Sequence, residues 1–291
     1  MKLTITGYST ALFSTWYFIE KLGLLFDLGD GVTSALMQKA RKIDHVFISH
    51  ADRDHLTGLL QFNQLNARSG FPKLFYPFDC GYFPALAEFS KKFDPHVEGT
   101  VWTPMKNEEK FFIKEDFFVQ GIRNTHVPSE PNIHKSFGYR VCQTKNKLKA
   151  EFTNRPQEKI KELIVERGKE NMTDQFQTNV LNYSGDTPVA DLKRWNHTKI
   201  LIHEATFLDA SERDVTNPKR NKHSTLEEFL KMVSDLSIET LILGHFSSRY
   251  ANEDIDSKIK FFCKELNIKI PVFRVLPGQV HRNILNETPN N

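Results

Sequence analysis

Apolar and polar positions along this chain follow two rhythms that keep exchanging. Residues 2–6 alternate with a period of two, residues 15–19 are rich in aromatics, and residues 24–28 are apolar up to an aspartate after a Glu20-Lys21-Leu22-Gly23 turn. These are strand signals, and together they predict a hairpin entering a sheet. Asp27-Leu28-Gly29-Asp30-Gly31 then breaks the strand and leads into a helical pattern over 32–41. A strand over 44–48, a helix over 56–67, a strand over 73–76 and a helix over 84–92 follow, an alternation that signals layered α/β packing. The middle is richer in β-pattern, with strands at 97–103, 111–113, 117–123 and 137–143. Residues 156–170 carry Glu, Lys and Arg on most faces of a helix, which reads as a solvated excursion, with a substrate-gripping element as the alternative. The last third returns to alternation: strands at 179–183, 199–202, 239–243 and 272–275, and helices up to Ser234 and over 254–266. Ser224 or Thr225 is placed to cap the first of these helices, with Glu227 and Glu228 in its first turn. No repeat, low-complexity run or linker interrupts the chain, so residues 1–291 are expected to form one domain.

Composition narrows the classes. Hydrophobic residues at 39% and 24 phenylalanines in 291 residues exclude a disordered chain. A net charge of +3 permits a nucleic-acid or phosphate substrate without arguing for one. Cys80, Cys142 and Cys263 are far apart and form no C-x-x-C, which fits a reducing compartment. Glu20, Lys21 and Asp27 interrupt the apolar stretch 11–28, so neither a signal peptide nor a membrane span is expected, and the cytoplasm is the expected location.

The chemistry concentrates in Ser49-His50-Ala51-Asp52-Arg53-Asp54-His55, directly after the apolar run His45-Val46-Phe47-Ile48. A loop at the end of a buried strand can turn His50, Asp52, Asp54 and His55 onto one point. Imidazole and carboxylate are zinc ligands, and carboxylate also suits manganese and iron. A charged, solvated surface loop is the bland alternative. His126, alone at a strand end, reads as a structural histidine. Yet His50, His126, Asp186, Glu204 and His245 all lie just past strand-like runs, and strand ends in layered α/β folds share a rim where sites form.

Taken together, Ser-His-x-x-x-Asp-His-x-x-Gly, Ser-Gly-Asp-Thr, His-Glu-Ala-Thr-Phe, Lys-His-Ser-Thr and Gly-His-Phe-Ser-x-Arg-Tyr resemble the RNase Z branch of the metallo-β-lactamase superfamily, in that family's order from Leu24 to about Tyr250. The resemblance implies an α/β fold of four αββα layers, two divalent metal ions, usually zinc, and hydrolysis of a phosphodiester, typically the 3′ trailer of precursor tRNA. Carried across by position, it assigns His50 and His126 to a first metal, Asp54, His55 and His245 to a second, and Asp186 to both. It makes Asp27 a buttress of the loop, and Glu204 with His223 the pair that handles the leaving-group proton. Asp54 would also orient the attacking water.

Two departures from the family pattern stand out. Asp52 replaces the second histidine of the metal motif; it either keeps a ligand there, making the first site richer in oxygen and more tolerant of manganese or iron, or weakens that site. The stretch 145–177 lacks the Gly-Pro arm of bacterial members, and the N-terminal Pro-x-x-x-Arg-Asn signature is absent. Arg249 would either clamp a phosphate or form a structural ion pair. The expectation is therefore a metal-dependent phosphodiesterase, an endoribonuclease acting on RNA 3′ ends such as precursor tRNA. The alternatives are a phosphodiesterase for a small or cyclic nucleotide, and a metal-impaired relative that binds RNA. A membrane partner is not expected, and a homodimer is possible because members of the family often pair.

Overall fold

In the computed structural model, which describes residues 2–212 and 222–291, the opening alternation becomes a hairpin of β1 (Ile5–Thr10) and β2 (Ser14–Ile19). The hairpin starts later than the 2–6 pattern predicts. Ile19 is the last residue of β2 and pairs with Ile5, and Glu20 turns away while its N–H closes on Thr4 O, so nothing lies opposite the earlier residues. β3 (Leu24–Phe26), β4 (His45–Phe47), β5 (Lys73–Pro77) and β6 (Val101–Met105) add in parallel, giving a six-stranded sheet in sequence order. A second, seven-stranded sheet runs β13-β12-β11-β10-β9-β8-β7, with β7 (Lys110–Lys114), β8 (Phe117–Arg123), β9 (Phe137–Leu148), β10 (Thr173–Tyr183), β11 (Thr198–Glu204), β12 (Ile238–Gly244) and β13 (Val272–Arg274).

The sheets bury one face each against the other. Phe26, Phe47 and Phe75 meet Tyr139, Leu181, Tyr183, Ile202 and Ile242 in one continuous cluster, with the Phe47 and Phe75 rings stacked at 4.3 Å. On the outside of the first sheet lie α1 (Val32–Leu36), α2 (Leu59–Asn66) and α3 (Tyr82–Phe93), whose Leu36, Phe62 and Phe83 cover Leu25, Val46 and Leu74. Helices α6 (Leu226–Val233) and α7 (Asn252–Glu265) cover the second sheet in the same way, so the expected αββα layering is what the chain adopts. In α6 the residues Leu226, Phe229, Leu230 and Val233 form one apolar stripe. Thr225 caps it, its hydroxyl accepting from Glu228 N at 3.2 Å, while Ser224 donates instead to Thr187 O at 2.6 Å. No helix among the described residues is long and apolar enough to cross a membrane.

Several helix and strand expectations shorten. The 32–41 helix stops at Leu36, where Met37 takes φ +50 and a 3-10 turn, Met37–Lys42, carries the chain on. The 56–67 helix begins only at Leu59, after Gly58, which lies against the backbone of Gly29 with no room for a Cβ. The 97–103 strand begins at Val101 after a 3-10 turn led by Pro95.

One region grows. The 137–143 and 179–183 strands lengthen into a ladder pairing Thr173↔Leu148 through Tyr183↔Tyr139, which runs past the last β8 pair, Phe117↔Gln143. Its outer residues are exposed on both faces, so no alternation announces them. At its end, α4 (Gln157–Arg167) is stopped by Gly168 at φ +81, and α5 (Lys169–Met172) follows. Leu163 and Met172 pack with Phe152 into a small core of their own. The charged helix thus belongs to a hairpin extension that the 156–170 pattern did not reveal.

Two histidines are buried as neutral rings. His45 lies between Phe71 and Phe75, and His203 stacks on Phe229 at 3.8 Å; burial pulls each down to about 4. Because the folded value lies below that of an unfolded histidine, stability is full above about pH 6.5 and falls as pH drops toward 4. Replacing His45→Phe should flatten this fall by roughly 2 kcal/mol, read from urea unfolding at pH 7 and pH 4; an undiminished acid loss in the variant would clear His45 of the effect.

Candidate metal centre

β3 ends at Phe26, and the next residue, Asp27, takes φ +55 and turns its side chain into the interior. There its carboxylate accepts from Ser49 N at 2.6 Å, Ser49 Oγ at 2.9 Å, His55 Nδ1 at 2.8 Å and the Tyr183 hydroxyl. The loop after β4 is wrapped around this anion. A 3-10 turn, Arg53–His55, closes the loop and sends Asp54 and His55 back toward His50.

Two adjoining groups result. In the first, Asp52 Oδ2 lies 3.6 Å from His50 Nε2 and 3.5 Å from His126 Nε2. In the second, Asp186 Oδ2 lies 3.3 Å from His55 Nε2 and 3.2 Å from His245 Nε2, and Asp54 Oδ2 lies 3.6 Å and 3.3 Å from the same two nitrogens. Asp186 Oδ2 is also 3.7 Å from His50 Nε2, so one carboxylate reaches both groups. The donor atoms within each group lie inside 4.8 Å of one another, close enough to hold a metal ion.

Each of these imidazoles is held from outside by Nδ1: His50 by Ser49 Oγ at 2.8 Å, His55 by Asp27, His126 by Lys222 O at 2.7 Å and His245 by Thr206 Oγ1 at 2.9 Å. Fixing the proton on Nδ1 leaves an inward lone pair on Nε2, the arrangement that orients imidazole for a cation. The Nε2 atoms of His50, His55 and His126 are buried without a hydrogen-bond partner among the described residues. Buried polar atoms left that way are costly, so this donor set fits divalent cations.

His223 is turned the other way. Its Nδ1 lies 3.2 Å from Glu204 Oε1, and Glu204 is itself fixed by Thr187 N at 2.9 Å, Thr206 N at 3.1 Å and Thr206 Oγ1 at 2.6 Å. The same Thr206 hydroxyl touches His245, linking the pair to the second group.

Charge follows from this packing. Burial opposes ionisation of Asp52, but the adjacent imidazoles of His126 and His50 outweigh it and hold the carboxyl well below the usual range. Asp54 and Asp186 are likewise held low against burial by His55 and His245. Burial, with the neighbouring rings of His55 and His126, pulls His50 down. For His55, burial is overcome by Asp186, Asp27 and Asp54, and its value rises well above normal. Burial is outweighed at His223 too, where Glu204 and Asp186 push the ring up to about 9.

All the residues singled out from the sequence, His50, Asp52, Asp54, His55, His126, Asp186, Glu204, His223 and His245, therefore meet at one rim. Arg249 forms an ion pair: its guanidinium meets Glu212 at 2.6 Å and the Tyr250 hydroxyl at 2.8 Å. Two participants escaped the sequence. Thr206 sits inside a motif that was read only for its glutamate. Leu12 contributes a backbone N–H, donated to Asp54 Oδ2 at 3.1 Å, and no side-chain pattern can signal that.

Known proteins resemble this chain in sequence and in fold. Residues 26–149 match the beta-lactamase superfamily domain. The chain is 28% identical to tRNase Z TRZ1 of Arabidopsis thaliana over 263 residues, covering 88% of this chain and 89% of that protein. It is 28% identical to ribonuclease Z of Methanocaldococcus jannaschii, covering 84% and 82%. The metallo-beta-lactamase fold protein YhfI of Bacillus subtilis superposes with a TM-score of 0.64 at 15% identity, over 97% of this chain and all of that one, which is a likeness of fold. Residues 26–149 thus resemble a beta-lactamase superfamily domain, and over most of its length the chain is similar to proteins named tRNase Z and ribonuclease Z.

Proposed function

We propose that this chain is a metal-dependent phosphodiesterase of the ribonuclease Z type, cutting RNA near 3′ ends such as those of precursor tRNA. The observation that carries the reading is the sharing of Asp186 between two groups of inward-facing imidazoles, with the Glu204–His223 pair beside them. His50, Asp52 and His126 would hold one cation and Asp54, His55 and His245 the other, with Asp186 between them. Zinc suits the second set, while the carboxylate of Asp52 makes the first set hospitable to manganese or iron as well. When bound, such a pair of cations lowers the pKa of water toward neutrality and neutralises phosphate oxygens as charge builds on them.

The chain's own groups supply the rest. Asp54 is ionised, and Leu12 N–H fixes one of its oxygens, so the carboxylate is oriented to accept a proton from the attacking water. Glu204, locked by Thr187 and Thr206, keeps His223 charged near neutral pH. A protonated imidazole with some solvent exposure is suited to protonate the departing oxygen. A polymeric substrate is favoured over a mononucleotide by the relatives named ribonuclease Z and tRNase Z. Metal analysis of the purified protein, with turnover of precursor tRNA and of bis(p-nitrophenyl) phosphate, tests this. Tight metal without hydrolysis of either substrate would overturn it.

The role of Asp52 is separable. Asp52→Ala should empty the first set while the second keeps its metal, whereas Asp52→His should hold or raise zinc occupancy. Equal metal content in wild type and the alanine variant would make Asp52 a bystander.

His223→Ala should leave metal content intact and slow RNA cleavage by roughly 10²–10⁴-fold, the range for losing a general acid. The loss should shrink with p-nitrophenolate, a leaving group that needs little protonation. A rate loss of the same size on both substrates would assign His223 a purely structural place ahead of α6.

A further inference from the structure

The connection between β1 and β2 stands at the lip of the centre. Ala11 N–H donates to Phe246 O at 3.2 Å, next to His245, and Leu12 N–H donates to Asp54. Phe13 N–H closes on Thr10 O at 3.1 Å, Ser14 Oγ donates to Asp30 O at 2.8 Å, and Gly278 N–H donates to Thr10 Oγ1 at 2.9 Å. The backbone of this turn is thus bonded at almost every residue. It holds Leu12 at φ +70, a conformation that costs an ordinary side chain about 1 kcal/mol or more.

The side chains are treated in the opposite way. Leu12 is 88% exposed and Phe13 is 61% exposed, beside a centre whose ligand-type groups are mostly buried. A hairpin tip that needed these residues for stability would bury them. Two side chains are also far too little apolar surface for a protein partner, since stable interfaces bury on the order of 1,000 Å² or more. A nucleobase fits better. Any phosphodiester seated at the centre carries its bases to the rim, and exposed aromatics on rigid backbone are how single strands are gripped without reading sequence.

We propose that Phe13, flanked by Leu12, is the platform on which a nucleobase flanking the scissile phosphate stacks. This rests on the phosphodiesterase reading above. It assigns the apolar tip to substrate positioning, with the base held by the same turn whose N–H orients Asp54.

The test is a cycle of substrate and protein changes. Oligoribonucleotides intact, or abasic at the nucleotide on one or the other side of the cleaved bond, are compared with wild type, Phe13→Ala and Phe13→Trp, each checked for metal content. In wild type, one of the two abasic changes should lower kcat/KM by roughly 5–150-fold, the worth of one stacked base. In Phe13→Ala that penalty should vanish, and in Phe13→Trp it should persist. Neither abasic position mattering in wild type, or the penalty surviving unchanged in Phe13→Ala, overturns the proposal. A second readout needs no turnover: an oligoribonucleotide with 2-aminopurine at the sensitive position and a bridging-methylene phosphonate at the scissile ester. Wild type and Phe13→Trp should quench its fluorescence on binding, and Phe13→Ala should not. If wild type cleaves none of the substrates but still quenches the probe through Phe13, the catalytic reading fails while the stacking site stands; absence of quenching removes the stacking site whatever the turnover.

Discussion

A buried carboxylate, Asp27, is the interaction on which the rest of this molecule depends. An ionised group in a dry interior is strongly unfavourable unless donors replace its water. Asp27 meets that demand with Ser49 N, Ser49 Oγ, His55 Nδ1 and the Tyr183 hydroxyl. Ser49 and His55 belong to the loop of the first sheet, and Tyr183 is the last residue of β10 in the second. Satisfying one anion therefore fixes the loop, the tautomer of a ring aimed at the centre, and the way the two sheets meet. Phe26, the residue before Asp27, stacks on Tyr183 with ring centroids 5.0 Å apart, so apolar packing and the polar network enforce the same alignment.

The centre is then assembled from strand ends on both sides of the sandwich. The first sheet delivers His50 to His55 after β4. The second delivers His126 after β8, Asp186 after β10, Glu204 at the end of β11 and His245 after β12. Backbone strain collects here: Asp27 and His245 both take positive φ, at +55 and +60. Gly185, at φ +57 beside Asp186, lies where a Cβ would fall 2.7 Å from Phe137 O and 2.8 Å from Ser49 Cβ, so only glycine lets the two loops approach. Conformations of this cost persist where the surrounding fold over-determines them, and here that fold is the packed pair of sheets.

Thr206 shows how tightly the polar groups are shared. Its hydroxyl donates to Glu204 and contacts His245 and His223, so the Glu204–His223 pair and the inward-facing imidazoles meet at one oxygen. A change in charge on either side is felt by the other through a single short contact. Beside this dense polar knot, the hairpin tip at Leu12 and Phe13 is left open to solvent.

The sequence by itself determined the residue chemistry and the local elements that carry it. Short apolar runs placed β4, β8, β11 and β12, and each ends beside His50, His126, Glu204 or His245, because whether a run buries as a strand is set largely by its own side chains. The stripe of α6 and its cap were legible for the same reason, down to a choice between Ser224 and Thr225 that only the contact of Ser224 with Thr187 O decided. What tertiary structure alone decided were features whose cause lies far along the chain. α1 stops at Leu36 although the helical pattern continues, and α2 starts only after Gly58, where the chain closes against Gly29. β9 and β10 extend through residues polar on both faces, held by backbone pairing with each other and not by a buried face, so periodicity is silent there. Leu12 reaches Asp54 through a backbone N–H across 42 residues, and Asp186 comes to serve both groups only when the second sheet closes on the first. Side-chain pattern reports what a segment buries; it carries no record of which distant backbone or carboxylate will be waiting when the layers meet.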